Sequence, residues 1–315
     1  MKPVMLITGA AGFIGHNLVK EFVDDYDVIC LVRPDGMVHR LNEFKDKIKI
    51  VYKDISNLNL DIDFIDEDID VILHAAGNPS SASSFGDRLG VVYDNVLGTV
   101  NLLEYAKRKD VPRFVFYGAA ESYGCLRNTA EPIGVPYDCY SPYAASKASG
   151  EEFCSAYSKS FGIKISIIHI ANTFGERCQK SRFPVVAMKQ IMNNQPVQLV
   201  ATDGHIGGRR WLHAHDVALH TRFILDNQTE DFEKWNSAGR EYMSNLVFAV
   251  QLAKVIGKDL EYNIISAHPE SHTAQLIFNS IDPDKLYFCG YQEKFTFEER
   301  LSQTVEWYKM NPSWL

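Results

Sequence analysis

The sequence predicts a doubly wound α/β fold: a parallel sheet with helices on both faces, joined by a second, smaller α/β lobe. Three observations carry that expectation. Apolar strand-like runs alternate with amphipathic helical patterns through residues 1–175, as βαβ units require. The first of these runs, Met5 to Thr8, meets Gly9, Gly12 and Gly15 and passes directly into a helical pattern. The length of 315 residues also exceeds the size at which single cores usually stop growing. We assign residues 1–175 and 212–240 to the sheet domain and 176–211 and 241–315 to the smaller lobe, with a cleft between them.

At the glycine-rich turn, Gly9 supplies the backbone angles, Gly12 admits a close main-chain approach, and Gly15 lets the helix pack on the strand. The first helical turn, with Phe13 and Ile14, then presents free N–H groups at the positive end of the helix dipole, a site suited to a pyrophosphate. A dinucleotide site is the expectation. The Gly-x-x-Gly-x-x-Gly spacing differs from the common Gly-x-Gly-x-x-Gly fingerprint, so the spacing alone leaves the enzyme class open.

Tyr26 to Arg33 reads as the second strand, closed by the turn signal Pro34-Asp35-Gly36. An acidic residue at this strand end would bind the adenosine ribose; Val32 and Arg33 stand there instead. Arg33 fits a 2′-phosphate, which favours NADP, while Asp35 keeps NAD open. Ile48 to Tyr52 is a further strand, with Asp54 and Ile55 placed to meet the adenine. A buried strand ending at His74 is followed by Ala75, Ala76 and Gly77, small enough to let the backbone approach a cofactor. His74 itself reads as a strand-end histidine held by hydrogen bonds.

A helix over Val91 to Lys109 contains Asn95 and Gly98, both costly inside a helix, so each requires a packing or hydrogen-bonding reason. The strand Arg113 to Gly118 opens into Ala119, Ala120, Glu121 and Ser122 at the sheet edge where ligands bind. Tyr143 and Lys147, four apart on a helix running to Phe161, share a face. A lysine beside a tyrosine lowers the phenol pKa and makes it an acid/base near neutrality.

After the strand Ile163 to Ile170, a loop carries Arg177, Lys180 and Arg182, candidates for a substrate phosphate, and leads into a helix from Pro184 to Asn193. Gly204 to Trp211 reads as a loop and strand of the smaller lobe. His213 and His215 would share a strand face, but no carboxylate or thiol stands at ligand spacing near them or near His205 and His220, so no metal is expected. Leu246 to Ile256 and Phe297 to Tyr308 are amphipathic helices of the lobe.

Composition narrows the partners. The balance of 32 basic and 40 acidic residues, net −8, argues against nucleic acid or an acidic membrane surface, so an anionic ligand must be held by local arginines. Six cysteines without Cys-x-x-Cys spacing suit reduced thiols in a cytoplasmic protein. No apolar run reaches membrane-span length, and no signal-peptide pattern is present.

Taken as a set, these motifs resemble the extended short-chain dehydrogenase/reductases of the nucleotide-sugar epimerase/dehydratase group, nearly end to end. The resemblance rests on Thr8 to Gly15, Asp54-Ile55, His74-Ala-Ala, Asn95-Val-Leu-Gly-Thr99, Ser141-Pro-Tyr-x-x-Ser-Lys147, Asn172-Thr-Phe-Gly175, Arg209-Arg-Trp-Leu-His213 with Asp216, and Phe297-Glu-Glu through Tyr308. It implies a Rossmann domain that binds the dinucleotide through the glycine turn, Arg33, Asp54, Ile55, Ala75, Ala76 and Asn95. Tyr143 would be the acid/base, Lys147 would hold the nicotinamide ribose, and Asn172 and Arg209 would contact the substrate diphosphate. A homodimer through the Val91 to Lys109 and Ser146 to Phe161 helices is also implied.

Glu121 matches the glutamate with which dehydratases remove the C5 proton. The sequence departs from the family where a Ser or Thr usually shares the sugar 4-hydroxyl with the tyrosine, here Ala119, and where many hexose 4,6-dehydratases carry an acid, here Ala120. Arg210 stands where an acidic residue is usual. A water, Ser122 or Cys125 would have to supply the missing hydroxyl. The pattern most resembles GDP-mannose-type 4,6-dehydratases and implies 4,6-dehydration of a nucleotide sugar through a transient 4-keto intermediate. A 4-epimerase, a nucleotide-uronate decarboxylase, and a weakened enzyme serving as a dinucleotide-binding protein are the alternatives.

Overall fold

The structure, a computed structural model, describes residues 2–57, 64–124, 135–202, 204–266 and 278–315. Its centre is a seven-stranded sheet formed by β1 (Val4–Thr8), β2 (Asp27–Val32), β3 (Ile48–Tyr52), β4 (Val71–His74), β5 (Arg113–Ala119), β6 (Lys164–Ile170) and β12 (Phe232–Ser237). The spatial order is β12-β6-β5-β4-β1-β2-β3, and every neighbouring pair is parallel. Strand order reverses between β1 and β4, so the crevice at their carboxyl ends is where a ligand is expected.

Alternation along the strands fills two cores. Met5 and Ile7 of β1, with Cys30 and Leu73, face Leu18, Val19 and Phe22 of α1 (Phe13–Phe22) and Val217 and Ile224 of α7 (Ala214–Asn227). Leu6, Ile29, Ile72 and Phe114 face the other way, onto Leu102, Leu103 and Ala106 of α4 (Gly98–Arg108) and Cys154 of α5 (Pro142–Phe161). Helices therefore cover both faces, as the continuous apolar strands demand.

The helix read over Val91 to Lys109 is interrupted. Behind the short α2 (Ser81–Ser84), α3 (Arg88–Val92) passes into a π-helical turn, Tyr93–Leu97, before α4 begins. Asn95 and Gly98 explain the break. The turn aims Asn95 inward, and a Cβ at Gly98 would sit 3.0 Å from the Ile55 side chain. On α5, the Ser141 side chain accepts a hydrogen bond from Ala144 N at 3.0 Å, Pro142 opens the first turn, and Gly162 at φ 72° ends the helix.

A third core joins α6 (Phe183–Met192), β8 (Val197–Thr202), α8 (Asn245–Ile256) and α10 (Phe297–Met310) around Phe174, Trp211 and Phe248. Small sheets complete this region. β7 (Thr173–Phe174) pairs with β11 (Leu212–His213), β8 lies between β9 (His205–Ile206) and β14 (Tyr262–Ser266), and β10 (Gly208–Arg209) lies between β13 (Met243–Ser244) and β15 (Phe278–Asn279). Leu286 of α9 (Asp284–Phe288) and Tyr291, read from sequence as part of the smaller lobe, pack in the α1–α7 core instead. His213 and His215 do not form a strand-face pair. His213 caps α7, its Nδ1 accepting from His215 N at 3.2 Å, and its Nε2 lies 3.1 Å from Glu176. Among the described residues no helix is long and apolar enough to cross a membrane.

Candidate active site

A cavity of about 630 Å³ opens at the carboxyl edge of the sheet, within the size range of ligand pockets. At its floor is the glycine turn. Gly9 has φ 66°, and a Cβ there would lie 2.8 Å from Ala75 O; a Cβ at Gly15 would lie 2.1 Å from Gly9 O. Both positions admit only glycine without backbone movement. Gly12 is the N-cap of α1 and offers no side chain to the first-turn N–H groups, while Phe13, Ile14 and Gly15 line the cavity. That arrangement leaves the helix N-terminus to an anionic ligand and fits the pyrophosphate of a dinucleotide.

Thr8 fixes the opposite wall. Its Oγ1 accepts from Ala76 N at 3.1 Å and lies 2.8 Å from His74 Nδ1; His74 Nε2 lies 2.9 Å from Thr99 Oγ1. Beyond Ala75 and Ala76, Asn95 Oδ1 accepts from Asn78 N at 2.7 Å, and its Nδ2 donates to Asn78 O at 3.2 Å and Ser146 Oγ at 2.8 Å. The π turn thus ties the loop after β4 to the start of α5.

At the far end lie Arg33, Asp54 and Ile55. Arg33 is largely exposed and only 3.8 Å from both Asp35 and Asp94, too far for strong pairing. Asp54 Oδ1 accepts from Ser56 N and Oγ at 2.9 and 2.8 Å. Two cations missed by the sequence reading line the same end, Arg40 and Lys53. Arg40 donates to Ala11 O at 3.3 Å and Arg177 O at 3.2 Å, contacts that only the tertiary fold creates. Lys53 stands directly before the Asp54-Ile55 pair, which was its only signal.

The reactive end gathers Tyr143, Lys147, Glu121, Ala119, Ala120, Asn172 and Arg182 around the same cavity. Burial raises the Glu121 carboxyl above the usual range, opposed by the Ser81 hydroxyl and by Arg209 and Arg182. The expected effect of Lys147 on Tyr143 is absent. Burial, then the Glu121 carboxylate, push the phenol up, and the cation opposing them is Arg182. The reason is geometric: the Lys147 ammonium rests over the Phe116 ring at 4.3 Å and makes no hydrogen bond to Tyr143. Burial lowers Lys147 to about 8.

Other candidates separate. Arg182 donates to Pro79 O at 3.2 Å and stays in the cavity wall. Arg177 pairs with Glu43 at 2.9 Å and Lys180 donates to Ser313 O at 2.7 Å, so both turn away from it. Arg209 lies outside the cavity lining, donating to Gly208 O at 2.7 Å, yet within electrostatic reach of Glu121. Arg210 donates to Ser280 Oγ at 3.1 Å and to Arg240 O, holding a neighbouring loop. Ser122 is fully buried and directed at Ala144 O, 3.4 Å away, and so does not replace the hydroxyl missing at Ala119. Cys125 lies outside the described residues.

A family profile described as "NAD dependent epimerase/dehydratase family" matches residues 5–238. The chain belongs to this family. It is 27% identical to a dTDP-glucose 4,6-dehydratase of Mycobacterium tuberculosis, covering 98% of this chain and 94% of that one. Among solved structures, UDP-glucuronic acid 4-epimerase from Bacillus cereus, in complex with UDP-glucuronic acid and NAD, is 25% identical with a TM-score of 0.85, covering 98% of this chain and 99% of that one. The dTDP-glucose 4,6-dehydratase of Streptomyces venezuelae, solved with NAD, shares the fold at TM-score 0.88 and 24% identity, over 99% of this chain and 98% of that one.

Proposed function

We propose that this family member is a nucleotide-sugar 4,6-dehydratase. The observation that carries the reading is Glu121: a largely buried carboxyl whose affinity for protons is raised, lining one cavity with Tyr143. Epimerisation at C4 has no use for such a group, whereas elimination of water across C5 and C6 needs a base there.

Gly9, Gly12 to Gly15, Ala75, Ala76, Asn95, Asp54 and Ile55 would hold the dinucleotide, and Arg33 favours NADP over NAD. The nicotinamide, when bound, takes up and returns a hydride and carries a positive charge in its oxidised form. Tyr143, whose phenol burial and Glu121 push up, would have to lose its proton against the positive charge of the bound oxidised nicotinamide and of Arg182 before it receives the proton of the sugar 4-hydroxyl; Lys147, on the same helix face, would orient the ribose. Glu121 takes the C5 proton and passes it to the C6 hydroxyl, which leaves as water; when the hydride comes back at C6, C5 regains its proton from solvent. Arg182, with Asn172, faces the diphosphate; Arg209 acts on the charge of Glu121 from behind the wall. Protein cations placed against a buried carboxylate and a diphosphate stabilise charge where the reaction develops it.

A cytoplasmic location and a homodimer through the Val91 to Lys109 segment and the Ser146 to Phe161 part of α5 complete the proposal. The dimer is supported by exposed apolar side chains: Val92 and Tyr93 on the first segment, Phe153 and Phe161 on α5. The test is incubation with a panel of nucleoside-diphosphate sugars and NAD or NADP, followed by mass analysis. Loss of one water from a sugar is the expected result. A product of unchanged mass with an inverted C4 would replace dehydration by epimerisation.

A further inference from the structure

We propose that Glu151 is a positioning residue of this site: its carboxylate locks α5, which carries Tyr143 and Lys147, to β6, to β12 and to the turn that carries Glu121. The proposal rests on the roles given above to those three residues. Tyr143, Lys147 and Glu151 follow one another at intervals of four, so they share the face of α5 turned to the sheet. Glu151 is fully buried. Its Oε2 lies 2.7 Å from His169 Nε2 on β6, and its Oε1 lies 2.6 Å from Lys234 Nζ on β12.

The same imidazole reaches the Glu121 turn. Tyr123, two residues beyond Glu121 in the 3-10 turn Ala120–Tyr123, places its hydroxyl 3.2 Å from His169 Nε2. Room for the ring comes from Gly118, the cross-strand neighbour of His169: a Cβ there would lie 2.8 Å from His169 Cδ2. Lys234 also donates to the Tyr137 hydroxyl at 3.0 Å. One carboxylate therefore connects the segments that bear Tyr143, Lys147 and Glu121.

A buried carboxylate persists in its charged form only with such partners. Burial, the largest single influence, pushes Glu151 up, but His169 and Lys234 together outweigh it and hold it at about 2. Tyr137, Tyr123, Cys139 and Cys154 are the other titratable groups within its field. Lys147 faces Glu151 and Cys154 from its own helix, His74 from β4 and the Phe116 ring from β5. Of these, the Glu151 charge is the one that is negative at neutral pH, and it offsets part of the burial that drives Lys147 toward losing its proton.

The test is the titration of Lys147 by NMR in protein labelled at lysine 13Cε, its signal identified as the one lost in Lys147→Met. Glu151→Gln should lower the Lys147 midpoint by about one pH unit, as loss of a nearby opposite charge requires. Lys234→Gln, which removes a cation from the partly exposed side of the cluster, should raise it. The alkaline limb of kcat/KM for a nucleotide sugar that the enzyme turns over should move with each midpoint. If Glu151→Gln fails to fold, the rise in Lys234→Gln decides alone. Unmoved midpoints overturn the proposal even where the melting temperature falls, because a merely structural carboxylate would lower stability without touching Lys147. Absence of turnover with every nucleotide sugar would fail the functional reading, whereas the lysine titration still decides the role of Glu151.

Discussion

Asn95→Ala removes the polar centre of the π turn. Asn95 is 1% exposed, and its amide makes three hydrogen bonds, to Asn78 N, Asn78 O and Ser146 Oγ. At about 1 kcal/mol for each net bond the loss is about 3 kcal/mol, and the partly buried Asn78 amide left without its acceptor adds to it. For a chain of this size that is a melting-temperature fall of about 5 °C. The damage extends to function, because Asn78 and Pro79 line the cavity and Pro79 O receives Arg182. Thermal unfolding followed by circular dichroism, with dinucleotide binding measured calorimetrically, is the assay. A stability loss below about 1 kcal/mol with unchanged binding would refute the assignment of Asn95 as the tie between the loop after β4 and α5.

Two further perturbations address charge. Burial holds His16 and His74 at about 3 and His220 at about 4, so all three are neutral in the fold. An unfolded histidine takes up its proton near pH 6.5, so stability is held above that value and falls as the pH drops toward the folded values, by about 1.4 kcal/mol per pH unit for each histidine. Urea midpoints measured from pH 8 to pH 5 should therefore decline below pH 6.5; a flat profile would contradict the burial of these rings. Arg33→Ala should weaken NADP binding by about tenfold while leaving NAD binding nearly unchanged, the loss of one charge-assisted contact. An unaltered ratio of the two affinities would place the Arg33 guanidinium in solvent.

The chain order of strands, the glycine turn and the Tyr143–Lys147 helix were legible because each is a local pattern with one physical solution. Gly9 and Gly15 sit where a Cβ would strike backbone, and such positions announce themselves in sequence. Asn95 and Gly98 announced that something in their helix needed explaining. They did not announce a π turn, since the apolar rhythm continues through it. The misread residues are those whose partners lie far along the chain. Arg177 and Lys180 looked like phosphate ligands beside the Asn172 motif, but Glu43 and Ser313 engage them from remote segments. Arg40 reaches the glycine turn by the same kind of long-range contact. Spacing put Lys147 on the face of Tyr143 and could not say that its ammonium would rest on Phe116.

The central claim is that Glu121 breaks the C5–H bond of a nucleotide sugar, and solvent exchange at that carbon tests it most directly. In deuterium oxide the wild-type protein, given a nucleoside-diphosphate hexose, should yield product carrying deuterium at C5. Glu121→Gln keeps the size and polarity of the side chain but cannot accept the proton, so it should incorporate none and release no dehydrated sugar. Full turnover by Glu121→Gln, together with a wild-type product inverted at C4 and free of deuterium at C5, would contradict the account.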